Sequence, residues 1–444
     1  MSSEYSNDLK CKEMEPIYYA DSSRVEWRLQ PNTLYTNNIS IMNLGITKAS
    51  GASRLNKLVG CYGTINRILL YDGNTELQVL TRASEWLGFK QHLHSNQYLE
   101  ELASDFSGNK KASRLNLRDI SNAQSTTFGA MGKKIIEGGV RPSLGEIKTT
   151  QELTFKGQLD LSEGLSMLQA IPYIDTSVFK NLKIILEFDM NEVNTVASGQ
   201  DGAIRKQLRP YLVVEEVVAP DILESSLGRT PPAIPFSIIE NDVFSVPAMV
   251  PTVNDKNPVQ DLTFHVSSYN NKKVDRMVIM TRTVGTVGTN QEGSEDVGNG
   301  VYNSHAMLGQ KNMVRVNGRN IFGRPIERDN QRLGLMADVW GGTASIAPFQ
   351  NGLAFVAVDA NSRQNYLDQG NPIIGTSDYF GCALAGVTVE DLQLDYQRMG
   401  IWNNDSAHTL ASKYNSALEL HIFCEIKKAI VFNSSGSGYN VVYV

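Results

Sequence analysis

The sequence predicts an all-β chain: two antiparallel β-sandwiches in tandem, with a few short helices and long excursion loops. Three observations lead there. The stretch from Leu58 to Leu80 reads as two strands turning at Asp72-Gly73, a pair favoured where a type I′ turn needs φ > 0 at both central residues. Before that turn apolar side chains fall on both faces, Ile68 and Leu70 one way and Leu69 and Tyr71 the other, which marks a strand buried on both sides. A fainter copy lies 209 residues on, Ile65–Leu70 against Val274–Ile279, and the same shift carries Tyr211–Glu216 onto Leu420–Glu425, which reads as a duplicated β-domain.

Composition narrows the class. The chain has 444 residues, 41% hydrophobic and 20% charged, enough apolar content for a sizeable core. A net charge of −6 argues against a surface that grips nucleic acid non-specifically. Cys11, Cys61, Cys382 and Cys424 lie far apart without a Cys-x-x-Cys, so neither a disulfide scaffold nor a zinc site is expected. Cys61 and Cys424 fall inside apolar strands, as small core residues do. The polar start, Met1 to Lys12, has no signal-peptide segment, and no apolar run approaches the ~18 residues of a membrane span, so a reducing, soluble compartment is expected.

In chain order, residues 1–22 read as an extended polar arm with Tyr18 and Tyr19 as anchors. A first β-domain is expected over 23–218, with strands at Val25–Leu29 and Asn38–Ile41 before the hairpin. After the turn, Leu77 and Val79 share a face with Gln78 opposite. Trp86, Phe89, Leu93, Leu99, Leu102 and Phe106 recur at helical spacings over 81–106, with Thr81 as N-cap. Residues 105–143 are polar and glycine-rich, an excursion loop. Sheet resumes over 152–161, a short helix runs 163–171 up to Pro172, and strands follow at Asn181–Asp189 and Tyr211–Val218. Pro220, Pro231, Pro232 and Pro235 place a linker at 219–235.

The second β-domain, 236–444, is expected to hold strands at 237–239, 262–267, 274–283, 313–316, 353–358, 385–396, 417–432 and 439–444. Asn317-Gly318 is another hairpin-turn pair, and the glycine-rich acidic run 284–304 must be an exposed loop. About eight strands in each half fill the length as two tandem eight-stranded antiparallel jelly rolls. The core is expected to include Leu69, Trp86, Phe89 and Ile279, and Leu69→Asp to abolish soluble protein by burying an unpaired charge.

No catalytic constellation emerges. His92 and His94 lie roughly 200° apart on a helix, so they cannot converge on one metal. His265 and His421 sit on strands and read as core-edge residues. There is no Gly-x-Ser-x-Gly elbow and no P-loop. Asp296, Gly298 and Gly300 lack the remaining ligands of a calcium loop. Glu152, Asp160, Glu187 and Asp189 could pair as a glycosidase does only across a cleft that a sequence does not reveal. No catalytic residue, cofactor site or metal ligand is assigned, which favours a structural or binding protein over an enzyme.

Four stretches carry a family likeness: Leu58–Leu80 leading into Trp86; Ile171-Pro172-Tyr173 through Phe179–Leu182 and the strand KIILEFD; Val274–Arg282; and Arg315–Gly318 with Arg324-Pro325-Ile326. In them the chain resembles the double jelly-roll major capsid proteins of icosahedral double-stranded DNA viruses. That lineage includes adenovirus hexons, tailless phages, virophages and polinton-like viruses, and the likeness is nearest to the last two. The resemblance implies homotrimers whose six barrels tile as a pseudo-hexagonal capsomer, with neighbouring capsomers, penton and minor capsid proteins as partners. It implies a location in the virion shell after assembly inside the host cell, no specific nucleic-acid binding, and an internal membrane that is allowed but not predicted. Loops at 105–147 and 284–304 would form towers or clasps, and the arm would tie the capsomer to its neighbours. Two other readings stay open at this point: a minor or vertex capsid protein, which needs only one β-domain, and a carbohydrate-binding β-sandwich, which would bind sugars.

Overall fold

Branched aliphatic and aromatic residues spaced two apart turn most of the described part of this chain into sheet. The computed structural model describes residues 8–20, 23–48, 60–94, 153–188, 205–207, 209–229, 231–252, 254–255, 258–283, 311–327, 329–341, 343–344, 380–400, 415, 417–433 and 438–444. The expected loops at 105–147 and 284–304, the strand at 353–358, Glu152, Asp189, Asp296, Gly298 and Gly300 lie outside the described residues, as do the side chains of Cys61, His92 and His94.

The first half contains β1 (Leu9–Met14), β2 (Tyr18–Ala20), β3 (Arg24–Arg28), β4 (Leu34–Lys48), β5 (Ile65–Asp72), β6 (Thr75–Thr81), α1 (Ala83–His92) and β7 (Leu93–His94). It continues with β8 (Leu153–Asp160), α2 (Met167–Ala170), β9 (Tyr173–Asp175), β10 (Leu182–Phe188), β11 (Arg205–Gln207) and β12 (Tyr211–Val217). One sheet runs β2-β3-β10-β5-β6. The other is built on the 15-residue β4, which takes β12 and then β11 along one edge and β9 and then β8 along the other. Trp27, Ile68, Leu70, Ile184 and Leu186 from the first sheet meet Ile39, Ile41, Leu159 and Leu212 from the second, all buried.

The second half follows through α3 (Pro220–Ser226), β13 (Ala233–Val246), β14 (Val259–His265), β15 (Lys273–Thr283), β16 (Lys311–Val316), β17 (Arg319–Asn320), α4 (Asp329–Trp340), β18 (Thr343–Ala344), β19 (Phe380–Thr388), β20 (Leu392–Met399), β21 (Leu418–Phe432) and β22 (Tyr439–Tyr443). Its sheets run β13-β21-β15-β19 and β14-β20-β16-β17, with β22 extending the first along β21. The first long strand thus lies beside the last, and the second beside the last but one, the roll-up of a jelly roll. Phe380, Ile279 and Ile422 form one row across three strands at the heart of this barrel.

Several elements depart from the sequence reading. The first hairpin loop is Gly73-Asn74, because Asp72 still pairs with Thr75. Gly73 has φ 61° but Asp72 lacks the positive φ that a type I′ turn at Asp72-Gly73 needs, so that turn is ruled out. A bulge skips Leu77 in the ladder, and Leu77 and Gln78 are both buried, which undoes the simple alternation. Thr81 ends β6 and α1 starts two residues later, after Arg82 at φ 52°. The short helix expected over 163–171 is a 3-10 turn at Leu161–Glu163 followed by α2. Within the expected arm, β1 pairs with β12 and β2 with β3; within the expected linker lies α3, and β13 has already begun at Ala233. Leu9, Ile222 and Leu223 pack on Leu34, Val217 and Ala219 as a small satellite core, so arm and linker support each other.

The 209-residue shift does not superimpose like on like. β15 and β21 are hydrogen-bonded neighbours, whereas β5 and β12 lie in different sheets and β5 pairs with β10 instead. Any two buried strands match at equal parity, since their apolar period is two. The helix α4 had no counterpart in the sequence reading; its traces are Met336 and Trp340 at helical spacing and Gly341 at φ 75° just beyond the end.

Asn317 and Gly318 occupy the two-residue loop between Val316 and Arg319, at φ 51° and 73°. The Asn317 side chain also ties down the preceding strand connection of β20: its Nδ2 donates to Thr388 O at 3.0 Å, and its Oδ1 accepts from Glu390 N at 2.7 Å and Asp391 N at 3.2 Å. Asn317→Ala is therefore expected to cost about 2–3 kcal/mol, the sum of left-handed strain and lost hydrogen bonds. Asn317→Gly loses the same hydrogen bonds but relieves the strain, so it should recover about 1 kcal/mol of that loss in urea midpoints. Equal midpoints for the two variants would contradict this division.

Candidate functional site

The chemistry-bearing side chains that converge do so along the seam between the two barrels. β6 lies at the edge of its sheet and faces β13 and α2. The buried Gln78 of β6 receives Met167 N on its Oε1 at 3.0 Å and donates from Nε2 to Ser166 Oγ at 3.2 Å. Ser166 in turn donates its hydroxyl to the Ser237 carbonyl of β13. A buried glutamine thus starts α2 and hands a hydrogen bond across to the second barrel, which satisfies groups that would otherwise be orphaned.

Farther along the seam four aromatic rings from both halves interlock. Trp86 of α1 lies 5.3 Å from Phe89, 5.6 Å from Trp340 of α4 and 5.6 Å from Phe423 of β21, and Phe89 meets Trp340 edge-on at 5.5 Å. The Arg276 guanidinium lies over the Trp340 ring at 4.1 Å, donates from Nη1 to Val339 O at 2.9 Å and pairs with Glu425. Gly381 eases the approach of α4 to β19, since a Cβ there would come within 2.8 Å of Met336 Sδ and 3.2 Å of Trp340 Cδ1. Beyond the helices, β7 and β18 pair as a two-residue ribbon, Leu93 with Ala344 and His94 with Thr343, a further link between halves.

The C-terminal strand closes the seam's other end. Asp72 Oδ1 accepts from Asn181 N and Oδ2 from the Tyr439 hydroxyl, both at 2.7 Å. Tyr439 also packs edge-on against Phe179 of the first half and Phe432 of the second. Burial, and then the Asp72 carboxylate that accepts its proton, push the Tyr439 phenol above its usual range. Tyr443 donates to Glu240 Oε1 at 2.8 Å and lies beneath Lys272 and Lys428, each 4.7 Å from its ring centre. Burial, and then its bond to Glu240, raise that phenol too.

These phenols give a pH prediction. With folded-state values above the ordinary 10.0, Tyr439 and Tyr443 keep their protons while the unfolded chain loses its own, so the stability they contribute is present below about pH 10 and falls as pH rises past it. Tyr439→Phe should cost about 1–2 kcal/mol at neutral pH and flatten the alkaline decline, as read by urea midpoints from pH 8 to 11. An unchanged alkaline slope would count against this role.

Of the expected core residues, Trp86, Phe89 and Ile279 lie in the contiguous core; Leu69 is buried but on the outward face of its sheet, beside Ile185 and Val79. His265 is exposed, while His421 is fully buried, stacked on Phe423 and 3.3 Å from Glu419 through Nε2. Asp160 caps a 3-10 turn by accepting from Ser162 N, and Glu187 pairs with Arg67 at 3.3 Å, so neither is poised for acid–base work. Among the described residues no three metal-capable side chains cluster, and no helix is long and apolar enough to cross a membrane. Cys382 and Cys424 flank Met277 from neighbouring strands; burial pushes the Cys382 thiol up to about 12 and raises that of Cys424 as well, which makes both inert as ligands.

Two hollows remain. One of about 250 Å³ lies at the seam, lined by Ile171, Pro172, Phe179, Ile234 and Phe432 with Arg229 at its rim. The other, about 410 Å³, is an open groove on the outer face of β14, β20 and β16, bordered by Asp261, Lys311, Arg315 and Asp395. Arg315 and Asp395 pair there at 2.6 Å, and Thr263 donates to Asp395 at 2.8 Å, so the groove's charges are already matched. Neither hollow holds an arrangement of nucleophile, base and donor.

No protein-family model matches the chain, and no curated protein matches it by sequence. Its fold has clear counterparts. PBCV-1 VP54, as fitted into a reconstruction of the virophage Sputnik, superimposes with a TM-score of 0.57 at 9% identity, over 98% of this chain and 97% of that one. The major capsid protein of mavirus gives 0.56 at 10% identity over 100% and 91%, and a chain from the Sputnik virophage structure gives 0.54 at 10% identity over 98% and 88%. The correspondence covers nearly all of this chain and 88–97% of the others, and it establishes the double jelly-roll fold.

Proposed function

We propose that this chain is the major capsid protein of an icosahedral virus, a non-enzymatic building block that forms homotrimeric, pseudo-hexameric capsomers. The observation that carries this reading is the match of both barrels, over 88–96% of the other chains, to the mavirus major capsid protein, to a chain of the PBCV-1 virus capsid and to a chain of the Sputnik virophage structure. A single-barrel vertex protein is disfavoured by that same match. The seam supports the reading physically. Gln78, the Trp86 cluster and Tyr439 tie the barrels into one unit, so three chains can present six barrels in fixed orientation. In this reading the chain divides into an arm at 1–22 that adds β1 and β2 to the sheets of the first barrel, barrels at 23–218 and 236–444, and a connection at 219–235 that carries α3 and the first residues of β13. Asp72, Gly73, Asn317 and Gly318 shape the hairpin ends, while Leu69, Trp86, Phe89 and Ile279 hold the barrels rigid. Neighbouring capsomers, penton and minor capsid proteins are the partners, and the virion shell is the location.

Size-exclusion chromatography with light scattering tests this directly. The expected particle has three times the 49.0 kDa chain mass, and negative-stain images should show pseudo-hexagonal outlines. A monomer at micromolar concentration would overturn the proposal, and so would selective sugar binding by a monomer.

A further inference from the structure

The hollow of about 250 Å³ at the seam has walls from both barrels. Ile171 and Phe179 of the first half line it, and so do Ile234 and Phe432 of the second. Phe179 lies 6.2 Å from Phe432 and 5.4 Å from Tyr439, so packed aromatic rings back the apolar wall. A dry apolar cavity of about 150 Å³ takes up benzene, and on that scale this one has room for a chain of roughly eight to ten carbons.

One side of the mouth is polar. Ser226, the last residue of α3, and Arg229 just beyond it line the rim together. The turn that carries them is fixed: Arg229 N donates to Ser226 O at 3.2 Å, and Gly228, at φ 75°, donates its N–H to Asp175 Oδ2 at 2.6 Å. Asp175 is the one carboxylate among the described residues of the lining, and its charge is already met. Its Oδ1 accepts from Ser177 N at 2.8 Å and from Ser177 Oγ at 2.6 Å. The Arg229 guanidinium, by contrast, is exposed and makes no hydrogen bond or ion pair with any described residue. An uncommitted planar fork of N–H donors at the mouth of an apolar hollow matches an amphiphile with its tail inside and a carboxylate head at the rim.

We infer that the seam hollow is a binding site for a small amphipathic carboxylate of the medium-chain fatty-acid class, its chain against Phe179 and Phe432 and its head on Arg229. The site lies within one chain, so it stands or falls separately from the trimeric assembly. Its walls come from both halves, so the guest is released when the barrels part, and its binding strengthens their coupling.

Isothermal titration calorimetry on the full-length protein, with octanoate and 1-octanol as probes, tests this. Octanoate should bind saturably at one site per chain, and more tightly than octanol, which shares the tail but lacks the charge. Arg229→Gln should weaken octanoate binding about ten-fold or more and leave octanol unchanged. Val178→Trp, which fills the hollow from its half-buried wall, should remove both. Where that variant fails to fold, crystals soaked with 8-bromooctanoate take its place, and the anomalous peak belongs beside Phe179 and Phe432. Absence of saturable octanoate binding overturns the inference, and so does equal affinity for octanol or undiminished octanoate binding in Arg229→Gln. A bromine peak elsewhere, or a segment of a neighbouring chain seated in the hollow, overturns it too.

Discussion

Trp86→Ala is expected to lower the stability of the chain by about 3–5 kcal/mol, the range for removing a large aromatic side chain from a packed interior. Trp86 is buried against Phe89 on its own helix and against Trp340 and Phe423 from the other half, so the cavity would open at the seam. Three ring contacts at 5.3–5.6 Å add to the area term, at about 0.5–1.5 kcal/mol each. Because two of those contacts join the halves, the loss should fall on their coupling. Urea unfolding followed by far-UV circular dichroism should change from one transition to two, with the first midpoint lowered. A single transition at the wild-type midpoint would show that the cluster does not couple the barrels.

What the sequence disclosed and what it hid divide along the range of the interactions involved. Strands were legible where aliphatic and β-branched residues ran dense, as in β10 and β21, and Asn317-Gly318 was legible because a two-residue turn needs both residues left-handed. Asp72-Gly73 misled by one residue: the adjacent Gly73-Asn74 is equally suited to a turn, and Asp72 stays in the ladder by pairing with Thr75. β1 was hidden because its burial pattern shows only partial cover, the look of a polar arm. The seam was beyond reach. Tyr439 and Asp72 are separated by 367 residues, and neither has a local signal for the other. Gln78 looked like the wet side of a hairpin, yet its partners Ser166 and Met167 lie on an element nearly ninety residues on. Residue chemistry alone led to no function, since barrel sides carry no motif, and the proposed one came from family resemblance.

Two substitutions of the same kind should separate the true core from its margin. Ile279 sits between Phe380 on one neighbouring strand and Ile422 on the other, in a row with no charged group. An aspartate there has no counter-ion and no water, and its desolvation of several kcal/mol is comparable with the whole stability of a domain. Ile279→Asp is expected to leave no soluble folded protein. Leu69 is also nearly covered, at 5% exposure, but it lies on the outward face of β5, two residues from Arg67. Arg67 is 40% exposed and already reaches across to Glu187, so an aspartate at position 69 would find both a cation and nearby solvent. The expected loss for Leu69→Asp is about 2–4 kcal/mol, from lost apolar burial and partial desolvation, which corrects the total loss anticipated from sequence alone. Soluble yield and light-scattering mass of the two variants, expressed side by side, check the contrast. Soluble, folded Ile279→Asp would refute the placement of β15 between β19 and β21, and equal loss in both would show that Arg67 offers the new carboxylate nothing.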